Sequence, residues 1–353
     1  MNSTYYNIYI HVPFCMSKCN YCAFFSRACA KPDWETYTKN IKEELLYWSK
    51  VLGRINVSTV FFGGGTPSLM PTASFSEIIA DIYKLFEPTG DCEISFEANP
   101  GTIDEKKLDS FIAAGANRIS IGIQSLDDDK LKFLGRRHDT KTALKILETA
   151  LKKNIRVSAD FIYGLPGEDT KYITQLCKDI NRLGLTHCSL YELTIEPNTP
   201  FGRQNLQMPS NEEMADMYLA ISETLGLPRY EVSNYAVNGQ ECRHNLNVWD
   251  GAPYIGIGKG AAGRVLIDNQ WYEQMGGGEK FEKISDETRA EERLITGLRQ
   301  TRGVYLDNNV KKIINMDYVQ KHPDLLQQTS DNRIAATKNG ILILDDLILN
   351  LMR

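Results

Sequence analysis

The sequence lacks any apolar run approaching the ~18 residues that a membrane-spanning helix requires. It also lacks a basic excess: 40 Lys and Arg stand against 45 Asp and Glu, for a net charge of −5 and a pI near 5.7. No global field therefore draws the chain to nucleic acid or to an anionic membrane, and only local basic patches remain as such a route. Met1-Asn2-Ser3-Thr4-Tyr5 lacks the basic and apolar regions of a secretory signal, so the expected compartment is the cytosol. Cysteine is scarce, eight in 353 residues, too few for a scaffold built on disulfides. No internal repeat or low-complexity tract is present.

What is there begins with three of those cysteines. Cys15, Cys19 and Cys22 follow a β-branched and aromatic run at C-x3-C-x2-C spacing. So tight a cluster is a metal site or a disulfide element, and reducing conditions favour metal. Three thiolates fall one short of the closed tetrahedral set of a structural site, which leaves a coordination position for substrate. The other five, Cys29, Cys92, Cys177, Cys188 and Cys242, read as small buried hydrophobes. Cys242 is the least secure of them, because Cys242-Arg243-His244 sits in an irregular stretch.

Strand-like runs at residues 6–12, 57–62, 92–98, 118–124, 156–162 and 187–193 alternate with amphipathic segments at 34–52, 75–86, 106–114, 140–153 and 172–183. Six β-then-α units imply a parallel sheet, open or barrel-like, whose ligands gather at the C-terminal ends of the strands. Polar and glycine-rich groups do fall there. They are the cysteine cluster, Gly63-Gly64-Gly65-Thr66-Pro67, Glu97-Ala98-Asn99-Pro100, Gln124-Ser125, Tyr163-Gly164-Leu165-Pro166-Gly167 and Tyr191-Glu192. The expected fold is a partial parallel (β/α)6 barrel over residues 1–235. A Gly- and aromatic-rich connecting region at 236–280 follows, with a strand expected just before it at 230–235. A smaller, mainly helical domain with a β-hairpin at 281–353 is expected to cover the barrel mouth.

The triple glycine lets backbone N–H and C=O groups approach a ligand closely, although a tight strand-to-helix turn would need glycine too. It is not a Walker loop, since no Gly-Lys-Ser/Thr follows. Glu97, Gln124, Arg136 and Asp160 stand at or beyond strand ends in different units. Together they could hold ribose hydroxyls, an adenine edge and a carboxylate, the last suited to the planar fork of Arg136.

The C-x3-C-x2-C spacing with Tyr21 before the last cysteine, followed by Gly63-Gly64-Gly65-Thr66-Pro67, resembles the radical S-adenosylmethionine (SAM) family. That resemblance implies a [4Fe–4S] cluster on Cys15, Cys19 and Cys22, with the methionine moiety of SAM on the fourth iron. It also implies reductive cleavage of SAM to a 5′-deoxyadenosyl radical. Tyr9-Ile10-His11-Val12-Pro13-Phe14-Cys15, Glu97-Ala98-Asn99-Pro100, Gly122-Ile123-Gln124-Ser125 and Tyr163-Gly164-Leu165-Pro166-Gly167 resemble the oxygen-independent coproporphyrinogen III oxidase branch over essentially the whole chain. The branch implies SAM contacts from Tyr9, Tyr21, Gly64, Gly65, Thr66, Glu97, Gln124, Arg136 and Asp160.

Within the branch the true oxidases resemble C-x3-C-x2-C-x-C with a longer N-terminal arm. Here Phe24 holds the place of the extra cysteine and 14 residues precede Cys15. Both features, with Leu134-Gly135-Arg136-Arg137-His138, resemble the haem chaperones of the HemW type. His244-Asn245-Leu246-Asn247-Val248-Trp249 is similar to their H-N-x-x-Y-W motif, with Val248 where the tyrosine stands. The resemblance implies haem contacts from His244 and Trp249; a hydrogen-bonded loop histidine is the alternative for His244. It further implies transfer of haem to haem-dependent, for example respiratory, proteins, a reductant protein for the cluster, and a cytoplasmic location with at most transient contact at the inner membrane. SAM cleavage would then be regulatory or absent. The rival expectation is coproporphyrinogen III oxidase activity.

Overall fold

The computed structural model describes residues 5–276 and 281–352. The expected junction near residue 280 therefore falls partly outside the described residues. Six parallel strands follow one another through the sequence: β1 (Tyr5–Val12), β2 (Asn56–Gly64), β3 (Glu87–Ala98), β4 (Arg118–Gln124), β5 (Arg156–Tyr163) and β6 (His187–Glu192). Between them run α1 (Trp34–Leu52), α2 (Thr72–Leu85), α3 (Glu105–Ala113), α4 (Asp128–Phe133), α5 (Thr140–Leu151) and α6 (Thr170–Arg182). Asp33, Asp104, Asp127, Asp139 and Asp169 start five of these helices by accepting backbone N–H groups of the first turn. Each such cap contributes about 1 kcal/mol.

After α7 (Asn211–Thr224) comes a short antiparallel strand, β7 (Asn234–Ala236), at one edge of the sheet. The strand expected at 230–235 shortens to this because the preceding residues fold back: Tyr230 N–H donates to Asn234 O at 3.1 Å. Then come α8 (Arg243–Trp249), β8 (Tyr254–Ile257), β9 (Gly263–Ile267), β10 (Gln270–Gln274) and β11 (Phe281–Lys283). The Gly- and aromatic-rich region has no periodicity in sequence, yet it supplies regular strands here. β8 pairs parallel with β1 as a seventh parallel strand, and β9 to β11 continue the sheet antiparallel. The order is β11-β10-β9-β8-β1-β2-β3-β4-β5-β6-β7, eleven strands in an unclosed sheet.

Alternation along the strands sends one set of side chains to the helices and the other inward. Phe62 and Phe96 join Phe75 and Phe111 in an aromatic layer between sheet and helices, with ring centroids 4.5–6.2 Å apart. Tyr9, Thr59, Phe61 and Gly63 face inward instead, beneath the strand ends. Both faces are covered, as parallel sheets require.

The C-terminal region holds α9 (Asp286–Leu298), β12 (Val304–Tyr305), α10 (Asn308–Ile313), α11 (Met316–Lys321), β13 (Leu326–Gln328), β14 (Arg333–Ala336) and α12 (Leu344–Leu351), with its own apolar cluster. The hairpin turns at Asn332 (φ 61°), whereas Asn339-Gly340 leads into a 3-10 turn before α12. Among the described residues none of this region lines the mouth at the strand ends. It packs on the end of α8, where Thr296 Oγ1 donates to Trp249 O (2.7 Å) and Gln300 Nε2 to Asp250 Oδ1 (3.0 Å). Among the described residues no helix is long and apolar enough to cross a membrane.

Candidate functional site at the strand ends

Registry between β1 and β2 builds the centre of the site. Val12 lies opposite Gly64, and the ladder continues past both strands: Gly65 N–H donates to Val12 O (2.7 Å) and Thr66 N–H to Phe14 O (2.8 Å). The glycine turn is thereby bonded to the segment that enters the cysteine loop. A Cβ on Gly65 would stand 2.6 Å from Phe14 O and 3.0 Å from Cys15 Sγ, so only glycine fits. Gly64 has φ 108°, and a Cβ there would meet the His11 ring at 2.5 Å.

The loop is held from three sides. His11 Nε2–H donates to Phe25 O (2.7 Å), which leaves Nδ1 to accept from the Tyr9 hydroxyl (3.0 Å). Asn20, between the second and third cysteines, donates its N–H to Leu134 O (3.1 Å) and its amide to Phe133 O (2.7 Å), and accepts from Phe201 N–H (2.9 Å). Arg27 N–H donates to Pro13 O and Cys29 N–H to Cys15 O, both at 2.9 Å. Leu134-Gly135-Arg136-Arg137-His138 thus has a physical role, to anchor the loop and present Arg136. His138 fixes its far end through Ile123 O and the Asn99 side chain, both 3.2 Å away.

Facing the loop, Arg136 donates to Cys19 Sγ (3.4 Å) and to Gly122 O (3.0 Å), while its buried Nε has no partner. Gln124 ends β4 with φ 68°, a left-handed conformation costly for a non-glycine residue. Glu97 accepts from Gly64 N–H (3.2 Å). Burial chiefly, with the nearby Asp160 adding to it, raises its pKa to about 8. Asp160 lies 2.8–3.0 Å from the hydroxyls of Ser120, Ser158 and Ser189. Burial pushes its carboxyl up as well, against the pull of those hydroxyls.

These groups surround one cavity of about 550 Å³ at the strand ends. Cys15, Cys19, Cys22, Tyr21, Gly64, Gly65, Thr66, Glu97, Gln124, Arg136 and Asp160 all line it. Three expected residues do not. Tyr9 lies below, committed to His11 and stacked near Phe61 (6.3 Å). His244 is 5% exposed inside the barrel, stacked on Phe61 at 5.0 Å. Its Nδ1 bonds Thr59 Oγ1 at 2.7 Å, and that hydroxyl donates to Asn7 Oδ1 at 2.8 Å. The imidazole proton therefore sits on Nδ1, and burial lowers the pKa to about 4. Trp249 ends α8 against the C-terminal region. The stretch expected as a loop is a short helix that floors the cavity, reaching it through Cys242 and Asn245.

Phe61, Arg118, Ser120, Ser189 and Asn234 also line the cavity, and sequence reasoning missed them; Asn99, Cys242 and Asn245, named there only within longer motifs, line it too. Arg118 carried a readable signal, a cation opening an otherwise apolar buried strand. Ser120 and Ser189 carried none, because a serine in a strand is common and only Asp160 across the sheet gives these a purpose.

A model of the Radical SAM superfamily matches residues 9–180. The Bacillus subtilis (strain 168) "Heme chaperone HemW" is 31% identical over 321 residues, covering 84% of each chain. The chain belongs to the HemW family. The HemW of Escherichia coli (strain K12) is 36% identical over 266 residues, 74% of this chain and 70% of its own. Among solved structures, coproporphyrinogen III oxidase (HemN) from E. coli superposes with a TM-score of 0.79 over 98% of this chain and 90% of its own, at 18% identity. That likeness concerns the fold alone.

Membership in the radical SAM superfamily implies a [4Fe–4S] cluster and SAM. The donor set of this HemW-family chain fits both. The three loop cysteines are free thiols on one cavity wall. Thiolates are the ordinary protein ligands of such a cluster. The unpartnered Nε of Arg136 asks for an acceptor such as a carboxylate, and Glu97 beside the glycine turn suits a cation.

Proposed function

We propose that this HemW-family protein is a haem chaperone, which binds haem and passes it to haem-dependent proteins such as respiratory enzymes. The observation that carries the reading is the relation to Heme chaperone HemW over 84% of both chains. Phe24, where the oxidases resemble one another in having a further cysteine, agrees with it.

Cys15, Cys19 and Cys22 would hold the [4Fe–4S] cluster. Gly64, Gly65, Thr66 and Glu97 would receive the amino end of SAM, Arg136 its carboxylate, and Tyr21, Gln124 and Asp160 the remaining polar edges. When bound, cluster and SAM supply one-electron reductive chemistry, for which a reductant protein is the expected partner. Tyr9 acts one step back, by donating to Nδ1 of His11, whose Nε2–H ties down the cysteine loop. A cytoplasmic location with at most transient contact at the inner membrane follows from the task, and no nucleic-acid partner is expected.

The test uses the anaerobically reconstituted chain. About four iron and four sulfide per chain are expected, and Cys19→Ala abolishes the cluster. Haem titration gives a one-to-one Soret-absorbing complex, and coproporphyrinogen is not decarboxylated. The oxidase is the second reading, carried by the motifs that resemble that branch, and turnover of coproporphyrinogen would establish it.

A further inference from the structure

The cysteine loop carries a feature to which the cluster and SAM reading assigns no role. Three large apolar side chains stand on it in solvent: Phe24 is 66% exposed, Phe25 52% and Met16 45%. Exposed apolar side chains gathered on one short loop mark an interaction site more often than chance. The display is a fixed one, because His11 holds Phe25 O and Lys18 Nζ donates to Phe24 O at 3.3 Å. The Phe25 ring seats on Gly260, where a Cβ would come within 2.3 Å of it. Glycine at 260 thus keeps room for that ring at the surface.

Charge is the second observation. In a chain of net charge −5, residues 13–32 contain no Asp or Glu but hold Lys18, Arg27 and Lys31. Lys259, from the loop after β8, places its ammonium 6.0 Å from the Phe25 ring centroid. The loop is therefore an apolar face edged by exposed cations. The patch spans three side chains, far less than the roughly 800 Å² per partner of a stable protein interface. A flat apolar macrocycle carrying two carboxylates on one edge matches it in polarity and charge.

We infer that haem docks on this rim, its macrocycle against Phe24, Phe25 and Met16 and its propionates toward Lys18 and Lys259. The inference rests on the haem-chaperone reading and locates its ligand away from the buried His244 and the half-buried Trp249. Ser17, Lys18, Ala23 and Phe24 also line the SAM cavity, so haem on the rim stands at the cavity mouth.

The experiment is a Soret titration of the full, cluster-loaded chain with ferric haem, with iron content measured for every variant. Phe24→Ser with Phe25→Ser raises Kd roughly tenfold or more, the loss expected when two aromatic contacts are removed. Lys18→Glu with Lys259→Glu raises Kd about threefold or more, and the wild-type affinity falls with added salt. Tyr83→Ser, which removes an exposed ring on α2, leaves binding unchanged. Should the phenylalanine pair fail to hold its cluster, the lysine pair decides. Wild-type affinity in both rim variants overturns the inference, as does loss of haem binding confined to a folded His244→Gln protein. A rim variant that keeps haem and loses only reduction by a protein donor also overturns it, making the rim the donor's surface. Absence of a stoichiometric complex in the wild type refutes the chaperone reading itself, so the two failures are distinct.

Discussion

Glu97 shows how burial turns a routine carboxylate into a proton-linked binding group. Its pKa of about 8 means that the ligand-free protein holds this side chain neutral at pH 7. An ammonium beside it favours the carboxylate, so SAM binding must release the proton below pH 8. Affinity is therefore expected to rise from pH 6 toward pH 8 by up to about tenfold per unit, and Glu97→Gln should flatten the profile and weaken binding at pH 8. Calorimetric titration of the cluster-loaded chain at pH 6, 7 and 8 checks this, and a level wild-type profile would remove Glu97 from the amino site. Glu97, Gln124, Arg136 and Asp160 were legible as site residues because polar groups at the ends of buried strands have no packing role. The elevated pKa was not legible. It arises first from burial and then from Asp160, 63 residues away in sequence, and both act only once β3, β4 and β5 lie side by side.

Helix α8 teaches a similar lesson for elements. Its seven residues are too few for stability on their own, and the segment read as an irregular loop. The helix forms because Glu93, on β3, accepts from the backbone N–H groups of Arg243 (3.1 Å) and His244 (3.0 Å) while paired with Arg156. A fully buried carboxylate thus replaces the local cap, and the pull of Arg118 and Arg156 keeps it ionised despite burial. Glu93→Gln should destabilise the protein by about 3 kcal/mol, because two cations lose their buried partner. Denaturant unfolding measures the loss. A change under about 0.5 kcal/mol would mean that packing alone holds α8. The alternation of short strands and amphipathic helices, by contrast, placed α1 and β4 to the residue, since their patterns and aspartate caps are local signals.

On the scale of the whole molecule, folding buries four histidines in neutral form, His11, His138, His187 and His244. His244 and His138 are lowered to about 4 and His187 well below its ordinary value, each chiefly by burial. Because their folded values lie below the unfolded value of about 6.5, the unfolded chain takes up protons first as the medium is acidified. Stability is intact above pH 6.5 and falls as pH drops toward 4, with His244 alone contributing on the order of 3 kcal/mol to the loss. Urea midpoints at pH 7, 6 and 5 should fall in sequence, and His244→Gln should lessen the decline. An unchanged slope would show that His244 is already solvated. By itself the sequence determined the repeated β/α order, the thiolate cluster, the glycine turn and the family, because each is written in spacing over a few residues. Tertiary structure alone decided that β8 joins β1, that the C-terminal region packs on α8 rather than lining the mouth, and that His244 lies inside while Phe24 and Phe25 face solvent. Those outcomes depend on which distant strand or carboxylate comes alongside, and local periodicity has no access to that.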